Sequence, residues 1–217
     1  MSQGAALIDA IKTGDEVTAR SILRDHPECG TERLPSGETA IMTALYRGQR
    51  DLAAAIAAKS GDVDIFAAAA LGLGDPLQRA LGAGHVNDVA YDGWTPLHLA
   101  AFFGQLEAAK RLVEAGASLD AISQNSTRNT PLHAAVAGRH ADVALLLIDR
   151  GASVSLEDHG RHTPLHIAAE NNLADVVRAL LNRGADPLAV DAEDLTPLAR
   201  AAAKNHNDII DLLNERT

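Results

Sequence analysis

A four-residue motif, Thr-Pro-Leu-His, recurs along this chain at a nearly constant interval, and that interval constrains the fold more than any other feature. The motif stands at 95–98, 130–133 and 163–166, and a fourth copy at 196–199 has Ala in place of His. Successive copies begin 35, 33 and 33 residues apart. A fixed period in this range indicates a stacked array of one supersecondary unit, in which each unit buries its apolar face against its neighbours.

Each copy of the motif has the chemistry of a helix start. The Thr hydroxyl can accept a hydrogen bond from a backbone N–H of the first turn, and Pro at the first helical position lacks the N–H that would stay unpaired. Leu97, Ala100 and Ala101 follow at helical spacing, and the other copies repeat the pattern. The small alanines let neighbouring helices approach closely.

A helix break follows each motif at the same distance. Gly104, Asn172 and Asn205 occupy this slot, and Gly and Asn tolerate a left-handed backbone. Arg139 departs from the pattern, so the adjacent Gly138 is expected to take the role.

A second apolar helix follows in each unit and ends at Gly116, Gly151 and Gly184, again 35 and 33 residues apart. The motif and its period resemble the ankyrin repeat, a β-turn finger followed by two antiparallel helices. The resemblance implies an all-α solenoid of about seven helix-turn-helix units with β-turn fingers and degenerate capping units at both ends.

The whole chain, 1–217, is predicted to be a single array. The predicted segments are an N-terminal capping unit, two degenerate repeats, three typical repeats and a C-terminal cap, at 1–36, 37–60, 61–90, 91–125, 126–158, 159–191 and 192–217 respectively. In the first capping unit, the second helix is predicted to run through Val17, Ile22 and Leu23.

The unit at 61–90 departs most from the motif. Aligned on its terminal glycine, it has Val63 in the slot of Thr95 and Asp64 in the slot of Pro96. Its second helix is expected to begin with Asp75 as the cap before a proline. Little room is left after Ser60 for a full finger.

Charge and cysteine content limit the function classes. The formal net charge is −10 and the pI about 5.3, which argues against nucleic acid or an anionic membrane as partner and favours a basic protein. The single cysteine, Cys29, excludes an internal disulfide and favours a reducing compartment, so a cytoplasmic location is expected. The chain is also expected to be a monomer. The N-terminal residues turn acidic too early for a signal peptide, and no apolar run approaches about 18 residues.

The histidines of the motif, His98, His133 and His166, stand one per unit. Units stacked about 10 Å apart could not share a metal at ligand distances of about 2 Å, so neither a metal nor a cofactor is expected. The resemblance implies that each His ties its finger to the next by hydrogen bonds. No catalytic motif is present, and Cys29 near His26 is weak support for a nucleophile, so we expect no enzyme.

The aromatic residues are few, and four of the six fall in one repeat. Tyr91 and Trp94 belong to the finger before Thr95, and Phe102 and Phe103 to the end of the following helix. Tyr46 occupies the slot of Phe102 in an earlier unit. In ankyrin-like arrays these positions are the variable, concave ones that face a partner, and Trp and Tyr dominate interface hot spots. The alternatives are that the degenerate unit at 61–90 folds over these rings, or that Phe103 packs into the groove between units.

Neighbouring slots complete the predicted partner-binding surface, which adds Arg47, Asp92, Asn129, His159, His162 and Leu195. The two histidines on one finger would make binding pH-sensitive if they contact the partner, and would otherwise be solvated.

The resemblance implies a non-enzymatic protein–protein interaction scaffold that binds a protein through its concave finger and first-helix surface. Three alternatives stay open: an inhibitor or immunity-type protein that blocks a basic enzyme or toxin, an effector directed at a host cell, and an enzyme or ligand-binding site grafted onto the scaffold. Pairing of two copies through the aromatic surface is also compatible with the sequence.

Overall fold

The computed structural model describes residues 2–215, and every regular element among them is a helix. Fourteen α-helices follow one another in seven pairs, which confirms the predicted all-α array of helix-turn-helix units. None of the described helices has the length and apolar character needed to cross a membrane. The chain divides into two compact units, one ending at His85 and the other beginning at Val86.

The first unit contains three helix pairs and one short 3-10 helix. Its α-helices are α1 Gln3–Thr13, α2 Glu16–Asp25, α3 Ala40–Tyr46, α4 Arg50–Ser60, α5 Ile65–Leu71 and α6 Gly74–Gly82, and the 3-10 helix is Pro27–Thr31. The first helices of the pairs, α1, α3 and α5, pack in sequence, and α2 packs on α4.

The second unit contains four helix pairs. They are α7 Pro96–Phe102, α8 Leu106–Glu114, α9 Pro131–Ala137, α10 Ala141–Asp149, α11 Pro164–Glu170, α12 Ala174–Asn182, α13 Pro197–Ala203 and α14 Asn207–Asn214. The first helices of the pairs pack side by side in one layer, and the second helices form another. Leu97, Ala100 and Ala101 are completely buried between repeats, as their helical spacing predicts.

The predicted caps are present. The Thr95 and Thr130 hydroxyls accept from the backbone N–H of His98 and His133, and Thr196 does the same for Ala199. Each cap is followed by Pro at the start of its helix. Local chemistry therefore starts these helices as the sequence indicates.

The prediction that Gly138 replaces Arg139 in the helix break is wrong. Arg139 itself has the left-handed backbone, with φ 62°, whereas Gly138 has φ −71°. Gly138 is needed for a different reason: a Cβ there would lie 2.4 Å from the Phe102 carbonyl oxygen. The close approach of successive repeats therefore requires glycine at position 138, whereas Arg139 adopts the left-handed backbone that is strained for a residue with a side chain.

The alignment of the third pair was wrong by one residue. Asp64, not Val63, caps α5, and its carboxylate accepts from the Ala67 N–H at 2.9 Å. Like α7, α5 has seven residues, but Gly72 takes the left-handed conformation directly after it, one residue sooner than Gly104 does after α7. Asp75 does not cap α6, which already begins at Gly74.

The second helix of the first pair runs through Val17 as predicted, but the Val17 side chain is 82% exposed. The residues of α2 that face the core are Ala19 and Leu23, one helical turn apart. Val17 lies two residues before Ala19, which places it on the opposite side of the helix.

Candidate functional site

The fingers of the second unit are tight turns closed by backbone hydrogen bonds. In the first, the Ala90 N–H donates to the Trp94 carbonyl at 2.8 Å, and the Gly93 N–H donates to the Ala90 carbonyl at 2.9 Å. The Asp92 carboxylate accepts from the Trp94 N–H, and the Asp92 carbonyl accepts from the Asn125 side chain of the next finger. Asp92, predicted to face a partner, thus also holds its own turn.

Successive fingers are joined by backbone hydrogen bonds. The Gln124 N–H donates to the Gly93 carbonyl at 2.8 Å, and the His159 N–H donates to the Thr127 carbonyl at 2.9 Å. A third bond joins Ala192 to the Gly160 carbonyl. The fingers therefore form a continuous stack whose spacing is set by main-chain atoms.

The motif histidines tie each repeat to the next finger, which confirms their architectural role. His98 Nε2 donates to the Asn129 carbonyl at 3.1 Å, and His133 Nε2 to the His162 carbonyl at 3.0 Å. His166 makes the same bond to Leu195. The other ring nitrogen accepts the backbone N–H of the capping Thr, which fixes the tautomer.

These rings are neutral at pH 7. Burial lowers the pKa of His98 to about 4, although the hydrogen bond to the Asn129 carbonyl opposes the shift. Burial lowers the pKa of His133 and His166 as well. Within residues 2–215, no group of three or more His, Cys, Asp or Glu is placed to hold a metal ion.

Cys29 lies buried in the 3-10 helix of the first unit. Burial raises the pKa of its thiol, with nearby Glu28 and Glu32 acting in the same direction. Since the thiolate is the reactive form, this environment suits a packing residue rather than a nucleophile.

Three of the predicted aromatic residues form one group, here called the aromatic cluster: Trp94, Phe102 and Phe103. The ring centroids of Trp94 and Phe102 are 5.2 Å apart at an interplanar angle of 73°, and those of Phe102 and Phe103 are 5.2 Å apart at 84°. Edge-to-face contacts of this kind favour a fixed arrangement of the rings. All three side chains are half-buried, so the cluster presents part of its apolar area to solvent.

The next repeat has small residues in the slots of two of these rings. Phe102 ends α7 and Phe103 follows it, whereas Ala137 ends α9 and Gly138 follows it. Gly138 has no side chain, and the Ala137 methyl is exposed. No bulky side chain at these two positions can therefore cover the rings.

Other predicted residues flank the cluster or lie in the first unit. Tyr91 is 39% exposed in the same finger as Trp94. Tyr46 is 42% exposed at the end of α3, and Arg47 follows it as an exposed helix-terminal residue. Tyr46 and Arg47 belong to the unit that ends at His85, and the aromatic cluster belongs to the other.

One residue of each finger in the second unit, the one before the capping Thr, forms a row here called the finger row, which is apolar at both ends and polar between them. The residue before each capping Thr is Trp94, then Asn129, His162 and Leu195. Asn129 is half-buried, and its side-chain oxygen is buried without a hydrogen-bond partner among the described residues. Because that oxygen is closed to solvent, only the rest of the Asn129 side chain is accessible to a bound partner.

His162 belongs to a polar network with Asp158, Asp191 and Arg200. Its Nδ1–H donates to Asp158 at 3.1 Å, and its Nε2 accepts from Arg200 at 3.3 Å. The His162 side chain is 28% exposed, so an edge of the ring still reaches solvent. His159, in the same finger, is exposed.

Asp191 anchors this network. It is completely buried, and Arg200 donates to its carboxylate from Nε at 2.8 Å and from Nη2 at 2.6 Å. Burial opposes its ionisation, but hydrogen bonds from the Leu195 N–H and the Arg200 guanidinium outweigh burial and lower the pKa of Asp191 to about 2. Sequence reasoning missed these residues, although Asp158 and Asp191 recur 33 residues apart at the start of successive fingers.

Two ankyrin-repeat family models match the chain. A three-copy ankyrin model matches residues 56–158, and a many-copy model matches residues 147–201. Together they span 56–201, including the repeat that departs most from the motif.

Curated relatives match over parts of their sequences. Human neurogenic locus notch homolog protein 4 is 37% identical over 118 residues, which are 54% of this chain and 5% of the relative. BRCA1-associated RING domain protein 1 of Caenorhabditis elegans is 40% identical over 82 residues, or 38% and 12%. Mouse protein phosphatase 1 regulatory subunit 12A is 48% identical over 58 residues, or 26% and 6%. The aligned segments thus span only a small part of these relatives.

Proposed function

Because the chain belongs to the ankyrin-repeat family and is a protein-interaction repeat domain, we propose that it is a non-enzymatic scaffold whose second unit binds a protein partner. The contact surface is the aromatic cluster together with the adjoining finger row. The partner lays an apolar side chain against Trp94 and Phe102, and polar groups against Asn129 and His162.

The observation that supports this most directly is the aromatic cluster. The core of these repeats is already filled by alanine and leucine, and Leu97, Leu99 and Leu112 are completely buried. The cluster is therefore additional to the core. Aromatic side chains held rigid and half-exposed are typical interface anchors, because they bury a large area at low entropic cost.

The relatives agree with an interaction role. Two are named for proteins with which they act: one is BRCA1-associated, and one is a regulatory subunit of protein phosphatase 1. The names of the partners apply to those proteins, and we carry over only the type of role.

A basic partner in the cytoplasm fits the charge and cysteine content. The net charge of −10 favours encounter with a basic surface, and the single buried Cys29 fits a reducing compartment. This charge also favours a second function, in which the chain inhibits a basic enzyme by covering its active surface.

The test is affinity capture from the source cell with the wild-type chain, with Trp94→Ala/Phe102→Ala, and with Ile122→Ala/Leu188→Ala as a matched control. The control removes two large apolar side chains that are 46% and 62% exposed outside the cluster. Circular dichroism and urea unfolding establish that both variants are folded. The affinity of each captured protein is then measured by titration calorimetry.

We expect one protein to be lost only with the cluster variant, with an affinity reduced by about thirtyfold or more, as for a hot-spot pair. If the captured protein is an enzyme and the wild-type chain reduces its activity, the inhibitor function is supported. Equal capture by the wild-type chain and by both variants would show that the cluster is not the binding surface.

A further inference from the structure

A finger is missing inside the first unit. Only residues 61–64 connect α4 to α5, whereas residues 150–163 connect α10 to α11, and residues 183–196 connect α12 to α13. Four residues cannot form both the turn and the return to the next helix. The stack of fingers in this unit therefore stops after the turn that Leu34 and Glu38 close.

An arginine side chain occupies the place of the missing main chain. In the second unit, the Gly93 carbonyl accepts the N–H of Gln124 from the next finger. Gly37 stands at the same distance before its capping Thr, with a left-handed φ of 89° against 85° for Gly93. No finger follows it, and the Gly37 carbonyl instead accepts from Arg33 Nη1 at 3.3 Å.

The same guanidinium also neutralises the cap of α5. Arg33 Nη2 lies 2.7 Å from the Asp64 carboxylate, and the two side chains are 45% and 33% exposed. An ion pair this accessible to water contributes little stability and is readily exchanged. The contacts of Arg33 therefore show which ligand groups can bind here. An N–H donor can bond to the Gly37 carbonyl, and a cation can pair with the Asp64 carboxylate.

The missing finger leaves two cavities with Val63 in the wall of both. One, of about 300 Å³, is bordered by Arg33, Thr39 and Asp64. The other, of about 440 Å³, is bordered by small and apolar residues such as Ala57 and Leu73. The two cavities together are here called the cleft. The first offers polar groups to which a main chain can bond, and the second offers apolar surface that a side chain can contact.

We propose that the cleft left by the missing finger binds a basic turn segment of a partner protein, which completes the stack in place of the absent finger. A backbone N–H of the segment bonds to the Gly37 carbonyl, and an arginine or lysine of the segment pairs with Asp64 after Arg33 swings out. Asp62, which also borders the polar cavity, adds a second carboxylate; it is 97% exposed, and its ion pair with Arg79 is long, at 3.8 Å. The net charge of −10 favours the same sign of partner.

This site is separate from the proposed function of the second unit, because every residue of the cleft lies before Val86. A variant of the aromatic cluster should leave it intact. Failure of one proposal is therefore distinguishable from failure of the other.

The test uses the full-length chain and two disulfide-closed hairpin peptides that differ only in bearing two arginines or two glutamates beside the turn. Binding is followed by two-dimensional amide NMR, which reports both the affinity and the residues affected. The variants are Arg33→Ala, which removes the competing side chain, and Asp64→Asn, which removes the charge but keeps a good helix cap. Trp94→Ala/Phe102→Ala is the control.

We expect the arginine hairpin to shift the amides of Gly37, Val63 and Ala67, and to bind several-fold more tightly than the glutamate hairpin. Arg33→Ala should tighten the arginine hairpin about threefold, and Asp64→Asn should weaken it by a similar factor, as for an exposed ion pair. The control should bind like the wild type.

The proposal is overturned if the shifts fall outside the cleft, if the two hairpins bind equally, or if Arg33→Ala leaves the affinity unchanged. Concentration-dependent shifts of the same amides without peptide would show instead that a second copy of the chain fills the cleft.

Discussion

The repeat that begins at Thr130 and the one that begins at Asp64 start their helices with the same device, yet they differ in how they hold their neighbours. In both, a side-chain oxygen caps the first turn. Three residues later the first has His133, which reaches the carbonyl of the next finger, and the second has Ala67, which cannot. A stacked finger precedes the helix of the first repeat, whereas only the four residues 61–64 precede the helix of the second.

This difference separates two requirements of a repeat. A helix start needs only a capping side chain within one turn, so it survives where the motif is lost. Stacking needs a finger of sufficient length and a side-chain donor that reaches a carbonyl about thirty residues away in the sequence. It is lost when either of them is absent. The bond from His133 to His162 and the substitute bond from Arg33 to Gly37 show the two outcomes.

The largest effect is expected from removing one histidine tie. His133→Leu keeps an apolar volume but leaves the Thr130 N–H without its partner. It also takes from the His162 carbonyl one of its two hydrogen bonds, the other being from the Asp158 N–H. Since an unsatisfied buried polar group costs about 1–3 kcal/mol and a lost hydrogen bond about 1 kcal/mol, we expect a loss of about 3 kcal/mol in the free energy of unfolding. Met42→Leu, in the corresponding slot of α3, should cost less than about 1.5 kcal/mol. Urea titrations measure both, and equal losses would contradict the special role of the histidine.

The histidine ties should also make stability depend on pH. The pKa of His98 is about 4 in the folded chain, below the ordinary 6.5 of the unfolded chain, because the ring is buried. As pH falls, the unfolded chain takes up the proton first, so stability is complete above pH 6.5 and is lost towards pH 4. From pH 7.5 to 5 this site alone should cost about 2 kcal/mol.

His133 and His166 act in the same direction, since burial lowers the pKa of both. Urea unfolding at a series of pH values tests this, with His98→Gln as the variant. We expect the variant to lose about 2 kcal/mol less than the wild type over that interval. Parallel curves for the two proteins would show that His98 does not take part.

The close contact between repeats predicts opposite responses to one substitution in the two units. Gly138→Ala places a Cβ 2.4 Å from the Phe102 carbonyl oxygen, so we expect a loss of about 1–2 kcal/mol from overpacking. Gly82→Ala, at the end of α6, meets nothing within 4 Å and should be neutral or stabilise by up to about 1 kcal/mol. Thermal unfolding of both variants is the measurement, and a stable Gly138→Ala would disprove the contact.

Much of the fold could be predicted from the sequence, because the information was local. Thr95 and Pro96 mark a helix start whatever lies around them, and the recurring interval fixes the architecture. The register of α5 could not be found this way. The alignment placed Gly72 correctly in the slot of Gly104, but this repeat has one residue fewer between its cap and that glycine, so the cap is Asp64 and not Val63.

The candidate site could be predicted in part. The contacts of Phe102 with Trp94 and Phe103 follow from their positions within one repeat, whereas their role in binding a partner stays a prediction. The surroundings of His162 were missed, because Arg200 lies 38 residues away and its orientation depends on the buried Asp191. The role of Gly138 was missed for the same reason: the atom that demands a glycine, the Phe102 carbonyl, belongs to another repeat.

The smallest effect concerns the finger turn itself. Arg128 occupies the slot of Gly93 and has a left-handed φ of 50°, which favours glycine. Arg128→Gly should therefore stabilise the chain by about 0.5–1 kcal/mol, whereas Arg128→Ala removes the same charge but keeps the strain and should not. Urea titrations of the pair separate backbone strain from charge. A gain in both variants would mean that the charge of Arg128 is the cost, and a gain in neither would mean that the stacked finger holds this conformation without strain.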